Sequence, residues 1–125
     1  MGSVSKSIGL EELFAALADA TRLRLLNLMA GREVCVCYLV EILGQSQPKI
    51  SRHLAYLRNA GIVHARREGK WMHYSISEPL DAVAASILAA ALAALGNDKK
   101  MRADRARLGR VCCAPPAQIV PAVRS

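Results

Sequence analysis

Two pairs of thiols are the residues most suited to chemistry in this chain: Cys35 and Cys37, with one valine between them, and Cys112 and Cys113 side by side. Thiolates at such short spacing are a trap for soft ions. None of the histidines falls at ligand spacing with a cysteine. His53 and His64 are therefore read as surface or DNA-adjacent groups and His73 as a strand residue. On a regular helix residues 35 and 37 would lie about 200° apart, so one ion reaches both only if that turn distorts. Such a distortion would itself be a signal. The adjacent pair 112/113 can converge on one ion without straining a helix.

Composition limits what kind of protein carries these thiols. A chain of 125 residues with 53% apolar side chains is the size of one domain with an ample core. With only five aromatics, the core must come from Ala, Leu, Val and Ile, which favours closely packed helices. The longest apolar run, residues 82–95, is too short for a membrane span, and no secretory pattern opens the chain. Thiols without a secretion signal fit a reducing, cytoplasmic setting rather than a disulfide framework. The net charge of +7 is uneven: residues 44–74 hold six Lys/Arg against Glu68 alone, and residues 97–125 hold seven against two acids. Basic regions on a near-neutral body suit a polyanion, because cations placed at phosphates release condensed counterions.

The elements that must position the thiols follow from periodicity. Leu10, Leu13, Phe14 and Leu17 form a helical stripe, and Asp19 opens a second helix that ends at Gly31. Both read as core scaffold. A short third helix spans 36–43 and stops at Gly44; Ser46 then caps a fourth, with Pro48 in its first turn, running to Asn59. This is a helix-turn-helix. Ile50, Leu54 and Leu57 fix the buried face of the fourth helix, which turns Lys49, Ser51, Arg52 and Tyr56 outward. With Ser46, Gln47 and His53 at the same helix, that surface suits a DNA major groove. Residues 62–76 alternate as a hairpin whose tip carries Arg66, Arg67 and Lys70, a wing placed to touch the DNA backbone. Pro79 starts a fifth helix, 80–95, apolar almost all round; in so small a domain its missing cover is a second copy of the chain. Residues 97–110 read as a marginal helix and the remainder as an extended tail.

From Glu11 through Ile76 the chain resembles the ArsR/SmtB family of arsenic- and metal-responsive repressors. The matching segments are Leu17-Ala18-Asp19-Ala20-Thr21-Arg22-Leu23-Arg24-Leu25-Leu26, Glu33-Val34-Cys35-Val36-Cys37, Ser46-Gln47-Pro48-Lys49-Ile50-Ser51-Arg52-His53-Leu54 and Leu57-Arg58-Asn59-Ala60-Gly61-Ile62-Val63. The resemblance implies a dimeric winged-helix repressor that leaves its operator when a thiophilic ion binds. In the arsenic branch the site is typically Cys-Val-Cys-Asp-Leu-Cys; here Tyr38 stands in the Asp position and Val40 in that of the third cysteine. The family's other site, on the last helix, uses Asp and His; Asp81 is present, but residues 82–96 contain no His.

These readings converge on a mainly α protein with a β-hairpin wing, a winged helix-turn-helix dimerised through terminal helices. Residues 1–96 would form the DNA-binding and dimerisation domain and 97–125 a basic, Cys-containing tail. The expected partners are double-stranded operator DNA and a second copy, with no membrane. The expected inducer is arsenite, methylarsenite or antimonite, with no organic cofactor and no enzymatic activity. Its ligands could be Cys35/Cys37 with a third donor from the tail, Cys112/Cys113 alone, or two separate sites. A redox sensor or a repressor answering another thiophilic metal is the alternative; a thiol enzyme lacks a Cys-x-x-Cys and a βαβ pattern.

Overall fold

Aspartate and serine side chains set where the helices begin. The computed structural model describes residues 8–78 and 80–112, the last of these by its backbone alone. In it α1 spans Leu10–Leu17, α2 Ala20–Met29, α3 Val36–Leu43, α4 Gln47–Asn59, α5 Ala82–Leu95 and α6 Lys99–Cys112. Asp19, Asp81 and Asp98 each accept the amide three residues on at 3.0 Å, and Ser46 Oγ accepts that of Lys49 at 3.4 Å. These contacts satisfy N–H groups that a helix start leaves unpaired. Gly44 ends α3 in the left-handed region, φ 68°, where a side chain would be strained, and returns its amide to Val40 O. Only Gly44, Gln45 and Ser46 then separate α3 from α4, so the helix-turn-helix is tight.

The sheet has three antiparallel strands among the described residues, in the order β1-β3-β2, with β1 Val34–Cys35, β2 Val63–Glu68 and β3 Trp71–Ile76. The wing is the β2–β3 hairpin, in register from Val63↔Ile76 to Glu68↔Trp71. Gly69 takes a positive φ of 63° while Lys70 does not, the glycine-first pattern of a type II′ turn. Strand β1 was not foreseen. It adds Val34 opposite Tyr74 and Cys35 opposite His73.

Ile50, Leu54 and Leu57 of α4 are fully buried, against a core that includes Leu25, Leu26 and Leu28 of α2, Leu39 of α3 and Ile62. Two expectations change. Leu10 and Phe14 of α1 are 52% and 53% exposed rather than part of the scaffold core, because Leu13 and Ala16, with Leu17 partly buried, form its inward face. Residues 99–112 are a helix packed on α2 and α3 rather than a marginal one. Met101 and Leu108 are buried, and polar bonds hold the helix down. Arg24 grips Asp104 through two hydrogen bonds of 2.8 and 3.1 Å, Asn27 Nδ2 donates to Met101 O, and Arg105 donates to the carbonyls of Asn27 and Ala30. Long-range bonds of this kind leave no periodic trace in sequence. No single helix among the described residues is long and apolar enough to cross a membrane.

Candidate metal centre and nucleic-acid interface

Cys35 is not in a helix. It has extended backbone angles, φ −70° and ψ 142°, lies in β1, and is the residue from which α3 departs. The anticipated 200° separation therefore does not apply, and no helical turn has to distort to bring the sulfurs together. Cys37 Sγ donates to Cys35 Sγ at 3.2 Å. Soft-ion bonds to thiolate are about 2.3 Å long, so a single ion can reach both sulfurs across that gap. Cys35 is buried and Cys37 exposed, which leaves one sulfur facing the route of entry. Partial burial, and next the hydrogen bond to Cys35, push the Cys37 thiol up to about 11. At neutral pH it is a protonated thiol.

The other anticipated ligands fall differently. Cys112 ends α6, and Cys113 lies outside the described residues. Among the described residues no group of three His, Cys, Asp or Glu could hold a metal ion, so the pair 35/37 supplies two donors. Asp81, the Asp present where the resemblance would place a terminal-helix site, accepts the amides of Ala84 and Ile8 at 3.0 and 2.9 Å, which hold its carboxyl below the usual range. It works as a cap that ties the start of α5 to the start of α1.

On α4, Ser46, Gln47, Lys49 and Arg52 are exposed and Ser51 is half-buried. His53 departs from the expected open surface: its side chain is 18% exposed, with Nδ1 3.3 Å from Arg22 Nη1 and 3.9 Å from Asp19 Oδ1. It joins α4 to α2 instead of standing clear. Arg22 is the residue sequence reasoning missed. Its guanidinium lies 4.1 Å from the centroid of Tyr56 and donates to Ala15 O and Ala16 O, so one cation closes α1 onto α2 and α4. Arg22, Arg52, His53, Tyr56 and Asn59 line one cleft beside the recognition face.

On the wing, Arg67 and Lys70 are exposed, and Lys70 sits over the Trp71 ring at 5.4 Å. Arg66 differs. It donates to both Glu33 oxygens, at 2.7 and 3.0 Å, and also to Glu68 at 3.4 Å. Its charge is matched within the protein, which leaves Arg67 and Lys70 as the exposed cations of the tip. Arg66, in turn, holds the Glu33 carboxyl below its ordinary range.

The sequence profile described as "Bacterial regulatory protein, arsR family" matches residues 19–65, which run from the cap of α2 into the wing. The "Arsenical resistance operon repressor" of Escherichia coli is 51% identical over 78 residues, 62% of this chain and 67% of that protein. The chain belongs to the arsR family. Its members are DNA-binding transcriptional regulators rather than enzymes. A further arsR relative, the "Arsenic resistance transcriptional regulator ArsR1" of Pseudomonas putida, is 54% identical over 65 residues, 51% of each chain. The match thus spans about two thirds of one relative and half of the other. Among solved structures, "the transcriptional repressor BigR from Xylella fastidiosa" superposes with a TM-score of 0.56 at 33% identity, covering 65% of this chain and 80% of that one. The winged-helix architecture is therefore that of arsR-type regulators.

If α4 reads bases and the wing tip meets phosphates, two kinds of substitution should behave differently. Arg52→Ala should weaken binding to the cognate duplex by about 1–2 kcal/mol while changing nonspecific binding little. Arg67→Ala or Lys70→Ala should lower affinity for every sequence and reduce the salt slope by about one unit each. Titrating cognate and scrambled duplexes at several salt concentrations checks both, and unchanged cognate affinity in Arg52→Ala would remove that residue from the groove.

Proposed function

We propose that this protein is a cytoplasmic, homodimeric repressor of an arsenic-resistance-type operon, released from operator DNA when trivalent arsenic or antimony, inorganic or methylated, binds cysteine thiolates. The observation that carries this reading is the 3.2 Å approach of Cys35 and Cys37 at the foot of the helix-turn-helix. Two sulfurs in reach of one ion, with a DNA-reading helix one short element away, join detection to release. The arsenical and arsenic resistance names of the relatives support the choice of inducer. Ser46, Gln47, Lys49, Ser51 and Arg52 would read the groove and Arg67 and Lys70 the backbone. Cys35 and Cys37 would hold the inducer, and Cys112 and Cys113 would supply a further donor or a second site.

The raised Cys37 thiol, beside a buried Cys35, favours ion binding over peroxide sensing, because oxidants attack an accessible thiolate and the pair presents little of it at neutral pH. It also separates arsenite from a divalent ion. When neutral trihydroxy arsenic takes a thiol, the S–H proton leaves with a displaced hydroxide as water, and no net proton is released. A divalent cation must expel the proton instead. Arsenite affinity should therefore be nearly flat between pH 6 and 8. Affinity for a divalent ion should rise about tenfold per pH unit from Cys37 alone, up to about 11. Operator release titrated at several pH values tests this: release by arsenite with a flat profile supports the reading. Response only to an ion with the steep profile would replace arsenic with another thiophilic metal.

A further inference from the structure

Glu33 and Arg66 have no part in reading DNA or holding an inducer in the assignment above, yet they join the two regions that do. Cys35 sits in β1, directly opposite His73 of β3, and His73 is in turn opposite Arg66 of β2. The three residues therefore form one row across the sheet, from the dithiol to the wing. Glu33 immediately precedes β1, two positions before Cys35. Its carboxylate crosses β3 to meet Arg66 in a two-point, fork-to-fork pair, at 2.7 and 3.0 Å. His73 adds a contact beneath it, Nε2 lying 3.3 Å from Glu68 Oε1. The outcome is a strap: β1 is held to β3 by backbone pairing and to β2 by a charged pair. Arg67, Glu68, Gly69 and Lys70 follow Arg66 in the chain and make up the tip.

We propose that the Glu33–Arg66 pair is a positioning element that carries movement of Cys35 into the wing, so that loading of the dithiol reorients the cations Arg67 and Lys70 as well as the recognition helix. This rests on the reading of Cys35 and Cys37 as the inducer site. Cys35 is buried in a strand while Cys37 begins the exposed surface of α3, so an ion held by both sulfurs ties β1 to α3 and passes any adjustment of one to the other. Strand β1 has two residues and one neighbour, β3, and cannot move without disturbing that pairing. The strap converts a local adjustment of β1 into a motion of the hairpin as a unit. Both members of the pair are partly exposed, 34% for Glu33 and 47% for Arg66, so its contribution is that of a surface pair of good geometry. An effect of about two- to fivefold on release is the scale to look for.

The test uses the full-length protein, a cognate operator duplex and arsenite itself. For wild type, Glu33→Gln, and the exchange Glu33→Arg with Arg66→Glu, three quantities are measured. These are arsenite uptake from sulfur-to-arsenic ultraviolet absorption, operator affinity with and without arsenite, and amide exchange across residues 63–76. Each variant's release is expressed relative to its own arsenite-free affinity, which removes any change in basal binding. Glu33→Gln should take up arsenite as wild type does, lose about two- to fivefold in release, and show a smaller arsenite-induced change in wing exchange. The charge exchange should restore both. Release by Glu33→Gln equal to wild type, or loss not restored by the exchange, overturns the strap and leaves the inducer assignment standing. A wild-type complex that takes up no arsenite, or takes it up and stays on the operator, overturns both.

Discussion

Replacing Cys35 and Cys37 together with serine should abolish release by arsenite while leaving arsenite-free operator affinity within about twofold of wild type. A useful switch needs a coupling of about 1–3 kcal/mol between inducer and DNA, equivalent to roughly a five- to 150-fold drop in affinity, and the double variant should show none of it. Serine keeps the shape and removes the soft donor. At position 35, 7% exposed, the new hydroxyl is buried and costs about 1–3 kcal/mol of stability, so folding at the assay temperature is monitored by circular dichroism. The single variant Cys37→Ser, on the exposed side, provides the same test without that cost. A companion variant, Cys112→Ser with Cys113→Ser, separates the two thiol pairs. If it alone loses the response, the inducer site belongs to the tail and the 3.2 Å pair is not the trap.

Charging the exposed apolar face of α1 and α5 should be more damaging still. Phe14 is 53% exposed, Leu10 52% and Val83 58%, and the Asp81 bond to the Ile8 amide brings the starts of the two helices together. Helix α5, apolar for its whole length, buries only Ala84 and Leu88 against its own chain. An apolar groove lined by Ile76, Leu80, Leu88 and Leu92 runs beside it. In the proposed dimer a second copy would cover this patch, and its two-fold would place two recognition helices in successive major grooves. The pair Phe14→Asp and Val83→Asp should yield a monomer in sedimentation and lower cognate operator affinity by on the order of 10³-fold, toward the nonspecific level. A dimer that persists in this variant would place the interface elsewhere.

The reading head was legible because its signals are local. Ser46, Pro48 and the Ile50/Leu54/Leu57 stripe occupy neighbouring positions, and each does in space what its spacing implies. The wing likewise declares itself through alternation and a Glu-Gly-Lys tip. Strand β1 does not, because two residues carry no periodicity and the strand they pair with lies about forty positions downstream. Missing β1 led to treating Cys35 as helical. It also hid Glu33, whose partner Arg66 is separated from it by 33 positions and otherwise looks like one more cation at a basic tip. Helix α6 was underestimated for the same reason, since Arg24, Asn27 and Asp104 hold it through contacts 74 to 80 positions apart. Cation-to-ring and cation-to-carbonyl bonds make Arg22 a structural residue, a role that its place in the Asp19-Ala20-Thr21-Arg22 segment does not reveal.

The extended backbone at Cys35 has a consequence for timing. Because Cys35 lies outside α3 and its sulfur already meets that of Cys37, capture and discharge of the proposed inducer would require no turn of α3 to melt and re-form. The slow step in returning to the repressed condition would then be ligand exchange at sulfur, set by competing small thiols in the surroundings. How soon transcription shuts down after exposure ends becomes a property of the cell's thiol pool as much as of the protein.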